Sequence, residues 1–444
     1  MEVTGRMIID LEKYKQALQS VETMRVNGKV TQVVGLTIEA EGPEARLGEL
    51  CHIMPNNGRE PLLAEVVGFR ENKVLLMPLG ELSQIGPGCD VVATGRTLEV
   101  KVGPEILGRI LDGLGRPFEG SLPFGLFAYP ANNTPPNPIL RPRIKEPLSV
   151  GVRAIDGLLT IGKGQRVGIF AGSGVGKSTL MGMIARNTSA DINVIALIGE
   201  RGREVLEFIE RDLGEEGLKR SVVVVATSDQ PAMIRIKGAM IATAIAEFFR
   251  DRGMNVMLMM DSVTRFAMAQ REIGLAIGEP PATRGYTPSV FALLPKLLER
   301  AGTAERGSIT AFYTVLVDSD DMNDPIADAV RGILDGHIVL DRKIAQKGHY
   351  PAIDVLASVS RVMSEITSAA HQEAARQLKR HMATYREAED LINIGAYKPG
   401  TNREIDEAIR YRDLIREFTA QGTHEPADLQ GTIQALTAHF GGVN

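Results

Sequence analysis

The sequence is poor in the residue types that cross-link small folds or form large aromatic surfaces. Its 444 residues include no tryptophan, 5% aromatic residues and only two cysteines, Cys51 and Cys89. Two cysteines without metal-ligand spacing exclude a disulfide framework and favour a reducing compartment. A net charge of −5 gives no indication of a basic face for nucleic acid.

Long hydrophobic runs are also missing. No stretch approaches the roughly 18 apolar residues that a membrane-spanning helix needs. The longest candidates, residues 222–226 and 256–260, have the length of strands. The N-terminus carries acidic residues and lacks the hydrophobic core of a signal peptide. The sequence therefore predicts a cytoplasmic protein, or one that is bound to a membrane only peripherally.

The hydrophobic pattern changes along the chain and predicts four parts. Within residues 1–24, apolar residues recur every three or four positions, which predicts an amphipathic helix that packs on its own domain or docks on a partner. Residues 25–97 contain short alternating runs separated by Gly, Pro and Asn, which indicates a small β-barrel. Residues 98–364 begin with a proline-rich connector and then alternate strand-like and helix-like runs, as in a parallel sheet covered by helices. Residues 365–444 are predicted to be helical. The predicted strands of the sheet are residues 167–170, 194–198, 222–226, 256–260 and 309–317.

A glycine-rich segment carries the strongest chemical signal. The letters AGSGVGKS follow one of the predicted strands and open a helical stretch, the context that a phosphate-binding loop requires. Lys177 is predicted to reach the β- and γ-phosphates of ATP or ADP, and the Ser178 hydroxyl to ligate Mg²⁺. Ala171 stands where the strict pattern has glycine, outside most of the phosphate cradle. The candidate nucleotide-binding residues are Gly172, Ser173, Gly174, Val175, Gly176, Lys177, Ser178 and Thr179.

Two carboxylates follow other predicted strands. Asp261 ends a buried run and is a candidate for holding the Mg²⁺ shell, although an apolar run ending in Asp is common by chance. Glu200 leaves the end of another strand, where it could polarise the attacking water. The alternative is that Glu200 and Glu204 pair with Arg201 and Arg203 at a solvated helix start. Spacing alone leaves both interpretations of Glu200 open.

Taken together, these motifs resemble those of the catalytic subunits of rotary ATP synthases and, more closely, of the type III export ATPases. The resemblance covers nearly all 444 residues and implies an α/β fold: a RecA-like P-loop core between a small β-barrel and a helical C-terminal domain. The letters GERGREV resemble the segment that bears the catalytic glutamate, which implies that role for Glu200. The letters GHYPAID resemble the segment whose tyrosine stacks on adenine and nominate Tyr350, which could instead be a core residue. The letters SVSRV resemble the segment that supplies an arginine finger to a neighbouring site and nominate Arg361.

The resemblance also implies an assembly and partners. Since Glu200 and Arg361 occur in one chain, a ring of identical subunits would complete a site at every interface. The family resemblance implies that this ring has six subunits. The loop 272–284 resembles the one that faces a stalk protein in the central pore. A regulator would bind the N-terminal helix, and export gate membrane proteins and chaperone–substrate complexes would meet the ring at the inner face of the membrane. No nucleic acid is expected.

Several alternatives remain at this point. Four segments favour the flagellar branch of the export ATPases, namely residues 138–142, 151–157, 169–178 and 321–328, but virulence-type relatives share them. A catalytic subunit of a proton-translocating rotary ATPase would need a second homologous chain, and the acidic helix-turn that engages its shaft is not evident after Glu365. An RNA translocase of the transcription-terminator type would need an aromatic and basic platform, whereas residues 28–97 contain Phe69 as their only aromatic. A non-catalytic nucleotide-binding scaffold would not need both Glu200 and Arg361.

Overall fold

The computed structural model describes residues 27–56, 60–82, 85–317 and 324–441. The predicted N-terminal helix within residues 1–24 lies outside the described residues. The chain divides into two compact units between Thr97 and Leu98. None of the described helices is long and apolar enough to cross a bilayer.

The first unit is a closed barrel, as the alternating pattern predicts. Its described strands pair antiparallel in the closed order β1-β2-β5-β4-β3-β6. Alternate residues such as Val30, Ile38, Ile53 and Leu76 point inward and form its core, because successive side chains of a strand face opposite sides. The strands are β1 (Gly28–Val34), β2 (Thr37–Glu41), β3 (Leu50–Met54), β4 (Leu62–Arg70), β5 (Lys73–Pro78) and β6 (Asp90–Ala93).

The second unit is built on a sheet whose nine described strands follow the order β19-β18-β12-β17-β15-β13-β14-β8, with β16 paired to β17. The strands from β18 to β8 run parallel, whereas β19 and β16 are antiparallel to their neighbours. Strands β13 and β14 are buried at every residue, which explains their unbroken apolar runs. The strands are β7 (Glu99–Val102), β8 (Ile110–Asp112), β9 (Phe127–Pro130), β10 (Pro147–Leu148), β11 (Ile161–Gly162), β12 (Arg166–Ala171), β13 (Ile192–Ile198), β14 (Ser221–Ala226), β15 (Asn255–Asp261), β16 (Gly302–Thr303), β17 (Ser308–Leu316), β18 (Gly336–Leu340) and β19 (Ile353–Ser360).

Helices cover this sheet and make up the C-terminal region. The last three described helices add Leu378, Ile415 and Leu436 to the same apolar core that contains Ile155 and Val167. The helices are α1 (Arg153–Leu158), α2 (Lys177–Asn187), α3 (Gly202–Glu207), α4 (Gly214–Lys219), α5 (Ala232–Arg250), α6 (Val263–Ala276), α7 (Pro288–Leu298), α8 (Pro325–Ile333), α9 (Arg342–Gln346), α10 (Met363–Ile366), α11 (Ala369–Asn393), α12 (Arg403–Thr419) and α13 (Leu429–Phe440). Short 3₁₀ turns lie at Pro104–Ile106 and Thr283–Gly285, and a π-helical turn at Phe208–Leu213.

The parallel register fixes where a ligand site belongs. Strands β12, β13 and β15 all end at one edge of the sheet, with Ala171 level with Leu316 and Leu197 level with Asp261. Clefts outside the carboxyl ends of parallel strands are the usual ligand sites of open α/β sheets. The predicted P-loop and Glu200 follow β12 and β13, and Asp261 is the last residue of β15.

Candidate active site

The glycine-rich segment forms a turn between β12 and α2. Gly174 and Gly176 have φ values of 76° and 90°, a region in which side chains other than glycine are strained. Within the described residues no side chain caps the start of α2. The N–H groups and the positive dipole end of this helix are therefore available to a phosphate.

The side chain of Lys177 joins this loop to both candidate carboxylates. Its Nζ lies 2.5 Å from Asp261 Oδ1 and 3.6 Å from Glu200 Oε1. Asp261 is only 3% exposed, and its Oδ1 also accepts a 2.7 Å hydrogen bond from the Thr314 hydroxyl of β17. The structure thus brings together the three residues that the sequence nominated from three separate strands.

The environment of these groups moves their pKa values. Burial raises the pKa of Glu200 to about 7, and the negative charge of Asp261 adds to this effect while Lys177 opposes it. Burial alone would lower the pKa of Lys177, but the carboxylates of Asp261 and Glu200 outweigh burial and raise it. Glu200 is 9% exposed. This burial and its contact with Lys177 contradict the alternative that Glu200 only pairs with arginines at a solvated helix start.

Arg265 is a site residue that the sequence analysis missed. It lies in the first turn of α6, whose N-cap Ser262 accepts a hydrogen bond from the Arg265 N–H. Its side chain passes so close under Gly199 that a Cβ there would stand 2.7 Å from Arg265 Cβ. The Arg265 charge lowers the pKa of Glu200, although burial, the larger effect, raises it. Its Nε is buried with no hydrogen-bond partner in the structure, as suits a cation next to a phosphate site.

Tyr350 also lies at the P-loop. A Cβ on Gly176 would stand 3.6 Å from the ring atoms Cδ1 and Cε1 of Tyr350. Tyr350 as a whole residue is 48% exposed, which leaves room for a base to stack on its ring. The main-chain N–H of Gln421, after α12, donates a 2.9 Å hydrogen bond to the Tyr350 carbonyl. Adenine stacking on Tyr350 remains a prediction.

Arg361 lies at the opposite edge of the sheet. Ser360, the residue before it, pairs with Gly336 at the start of β18, whereas Leu340 at the end of β18 is level with Ala171, just before the P-loop. Four residues of strand separate the two levels, roughly 13 Å along the sheet. The exposed Arg361 is therefore not brought to the P-loop of its own chain.

The residues at the loop fit a magnesium ion by their chemistry. Mg²⁺ prefers oxygen ligands and is usually held by one or two protein oxygens together with phosphates and water. Asp261 offers a buried carboxylate, and Ser178 follows Lys177 in the first turn of α2. The described residues contain no cluster of three or more His, Cys, Asp or Glu that could hold a metal by itself. This donor set suits an ion that arrives with a nucleotide.

Comparisons with known proteins match this architecture. The flagellum-specific ATP synthase of Bacillus subtilis is 61% identical over 96% of this chain and 97% of its own length. The chain belongs to the ATP synthase α/β family. The nucleotide-binding domain of that family matches residues 151–360 and its β-barrel domain residues 30–95, while the T3SS EscN ATPase C-terminal domain matches residues 367–438.

Relatives from type III secretion are similar over the same length. The type 3 secretion system ATPase of Xanthomonas euvesicatoria is 54% identical over 96% of both chains. The assembled ATPase EscN of enteropathogenic E. coli has 51% identity and a TM-score of 0.88, over 93% of this chain and 99% of that one. These matches confirm the predicted resemblance, the P-loop core between a barrel and a helical region, and the assignment of this family member as an ATPase that binds nucleotide.

Proposed function

We propose that this chain hydrolyses ATP to energise protein export during flagellum assembly, as a ring of six identical chains with shared active sites. One observation supports the sharing: Lys177, Glu200 and Asp261 meet at one edge of the sheet, while Arg361 lies exposed at the other edge. The flagellar assignment is supported by the 61% identity to the Bacillus subtilis protein and by 54% identity to the flagellum-specific ATP synthase of Treponema pallidum.

The residues at the P-loop have complementary roles in this proposal. The phosphates of ATP bind the ammonium group of Lys177. Asp261 is thereby released from its 2.5 Å ion pair with Lys177. Asp261 and Ser178 would hold Mg²⁺, and the ion would supply positive charge that neutralises the phosphates. Glu200 orients the attacking water and accepts its proton, a task suited to a carboxylate whose pKa lies near neutral pH. Tyr350 stacks on the adenine.

Arg361 of the neighbouring chain completes the site. An arginine that stabilises the charge of the transition state is worth about 10³ to 10⁵ in rate. An isolated chain that cannot bring Arg361 to its own P-loop therefore hydrolyses ATP slowly. Assembly into a ring switches the activity on.

The remaining partners are proposed from relatives and from the predicted segments. A solved structure of EscN contains that ATPase in complex with its central stalk EscO. By analogy, a stalk protein contacts the segment 272–284. Residues 272–276 of this segment form the end of α6 rather than a loop, and residues 280–284 are exposed. A regulator binds within residues 1–24, and the ring meets export gate proteins and chaperone–substrate complexes at the inner face of the membrane. Magnesium dependence is part of the same proposal.

Virulence-type secretion is the second candidate, favoured by 54% identity to the Xanthomonas euvesicatoria protein. Swimming motility separates the two functions. In a bacterium that lacks its flagellar export ATPase, this chain should restore motility, and a P-loop variant such as Lys177→Ala should not. Restored effector secretion in a virulence system without restored motility would favour the second candidate.

Mixing two inactive variants tests the shared site. Glu200→Gln keeps its Arg361 but loses the water-polarising group, whereas Arg361→Ala keeps an intact P-loop side. Each variant alone should be nearly inactive, and the mixture should recover part of the wild-type rate at interfaces that combine the two intact halves. The specific activity of the wild type should also rise steeply with protein concentration.

The opposite outcome is equally clear. A mixture as inactive as its components, beside a wild type whose activity does not depend on concentration, would mean that each chain holds a complete site. The shared-site ring would then be wrong, although the ATPase assignment would stand.

A further inference from the structure

A buried amide lies beneath the residue that carries the proposed finger. Gln165, just before β12, is fully buried. Its Nε2 donates hydrogen bonds of 3.2 Å to the Asp335 carbonyl and to the Ser360 hydroxyl. Its Oε1 accepts a 2.9 Å hydrogen bond from the Gly162 N–H. All the polar atoms of this side chain are thus used. One of the bonds reaches Ser360, directly before Arg361, and another reaches the Asp335 carbonyl before β18.

Both acceptors are connected to the backbone of Arg361. The Asp335 carbonyl accepts the Arg361 N–H at 3.0 Å. Ser360 directly precedes Arg361, and its hydroxyl donates a 2.8 Å hydrogen bond to the Thr160 carbonyl. Gln165 therefore links the two anchors of the Arg361 backbone.

Asp335 itself is fixed by the residue next to Gln165. Its carboxylate accepts hydrogen bonds from the main-chain N–H, Nε and Nη2 of Arg166, each 3.0 Å long. The Arg361 side chain, in contrast, is exposed, and its Nη2 lies at 3.4 Å from the Arg331 carbonyl. A fixed backbone under an exposed side chain that makes one long hydrogen bond is the arrangement expected of a group that acts outside its own chain.

We infer that Gln165 is a positioning residue for Arg361, setting the direction in which the finger reaches the neighbouring site; this inference rests on the proposed shared site. Gln165 lies six residues before Ala171, at the other end of β12 from the P-loop. That separation is roughly 20 Å of extended chain. Loss of the Gln165 amide should therefore impair the active site of the neighbouring chain, which receives Arg361. It should have less effect on the P-loop of the same chain.

Gln165→Met is the variant to test, because methionine has a similar size and shape but no donor. We expect the ring ATPase rate to fall roughly tenfold to hundredfold, as small misplacements of catalytic groups do, with the KM for ATP unchanged. Asn193→Leu is the matched control. Asn193 is a fully buried amide near the start of β13, and its Nδ2 donates to the Ala185 carbonyl at 2.9 Å. This control loses a buried amide on β13, which is separated from β19 by four strands in the sheet order, and should keep near wild-type activity.

Mixing shows which half of the site the variant has lost. Gln165→Met mixed with Glu200→Gln should recover activity, since the first supplies the P-loop side and the second an intact finger. Gln165→Met mixed with Arg361→Ala should recover none, since neither supplies a working finger. The reverse pattern, recovery with Arg361→Ala but not with Glu200→Gln, would show that the variant has damaged its own P-loop side and would overturn the inference. Unchanged activity of Gln165→Met would overturn it too, as would an equal loss of activity in Asn193→Leu.

The reference mixture separates the two proposals. If Glu200→Gln and Arg361→Ala do not complement each other, the shared site fails and the role of Gln165 fails with it. If they do complement while Gln165→Met follows the reverse pattern, only the role of Gln165 is wrong.

Discussion

The pKa of Glu200 predicts how ATP hydrolysis depends on pH. A carboxylate that accepts a proton from water must be ionised, and burial followed by the charge of Asp261 places the pKa of Glu200 at about 7 in the nucleotide-free protein. With that pKa, about 9% of Glu200 is ionised at pH 6 and about 91% at pH 8, so kcat/KM should rise roughly tenfold between them. A glutamate at its ordinary pKa would give no change in this range.

Two substitutions should move the midpoint in opposite directions. The charge of Arg265 lowers the pKa of Glu200, against the larger effect of burial, so Arg265→Met should shift the midpoint of the profile to higher pH. The hydrogen bond with Glu204 raises the pKa, in the same direction as burial. Glu204→Gln should therefore shift the midpoint to lower pH, because an amide that donates to Glu200 stabilises its ionised form.

The assay is steady-state kcat/KM for ATP between pH 5.5 and pH 9 at constant ionic strength and saturating Mg²⁺, with wild type and both variants at the same protein concentration. The quantity kcat/KM reports the pKa of the free enzyme, which is the state described here. Phosphate groups of the substrate also titrate, near pH 6, but their contribution is common to the three proteins. A wild-type profile that does not rise between pH 6 and pH 8, or shifts of the same sign in both variants, would refute the proposed role and environment of Glu200.

Three further outcomes follow from individual contacts. Because the folded-state pKa of Glu200 exceeds its ordinary value of 4.5, the fold loses stability progressively between pH 4.5 and pH 7, and the full loss is present above pH 7. Glu200→Gln should therefore raise the unfolding free energy at pH 8 by at most about 3 kcal/mol, with no gain below pH 4.5, measured by denaturant titration. Arg300 Nε and Nη2 donate hydrogen bonds of 2.8 and 2.7 Å to the buried carboxylate of Glu247, and Glu247→Gln should lower the unfolding free energy by about 3 to 5 kcal/mol. Arg403→Ala, which breaks an exposed ion pair with Glu407, should lower it by less than about 1 kcal/mol. Tyr350→Phe should keep the wild-type KM for ATP, whereas Tyr350→Ala should raise KM with a smaller effect on kcat; equal effects of the two would argue against stacking.

The central strands were predictable because burial on both faces leaves little choice of residue. Residues 256–260 were expected as a strand and the structure has Asn255–Asp261, with similar agreement for Ile192–Ile198. The strands β18 and β19 were not recognised. They lie at the margin of the sheet, their partly buried residues alternate with buried ones, and their letters contain His, Asp and Ser. Such short mixed patterns fit a strand no better than a loop.

The site was predictable where a residue's place follows from its strand. Lys177 and Asp261 were expected to meet because both follow strands of one parallel sheet, and their 2.5 Å contact agrees. Arg265 was missed because its approach depends on the close passage of α6 under Gly199, a packing detail that no local pattern records. Gln165 was missed for a similar reason, since its partner Ser360 is 195 residues away in the sequence.

The direction of β19 has a consequence for how identical chains could share a site. Because β19 runs antiparallel to β18, the residue that follows it must lie at the edge of the sheet opposite to the P-loop. In a two-fold dimer one surface patch meets its own copy, so an isologous contact would have to bring both edges of the sheet to one interface. Contact between one edge of a chain and the opposite edge of the next is heterologous, and repeated heterologous contacts close into rings when the rotation allows. If Arg361 acts in the neighbouring site, the reversal of this one strand therefore favours a ring over a dimer.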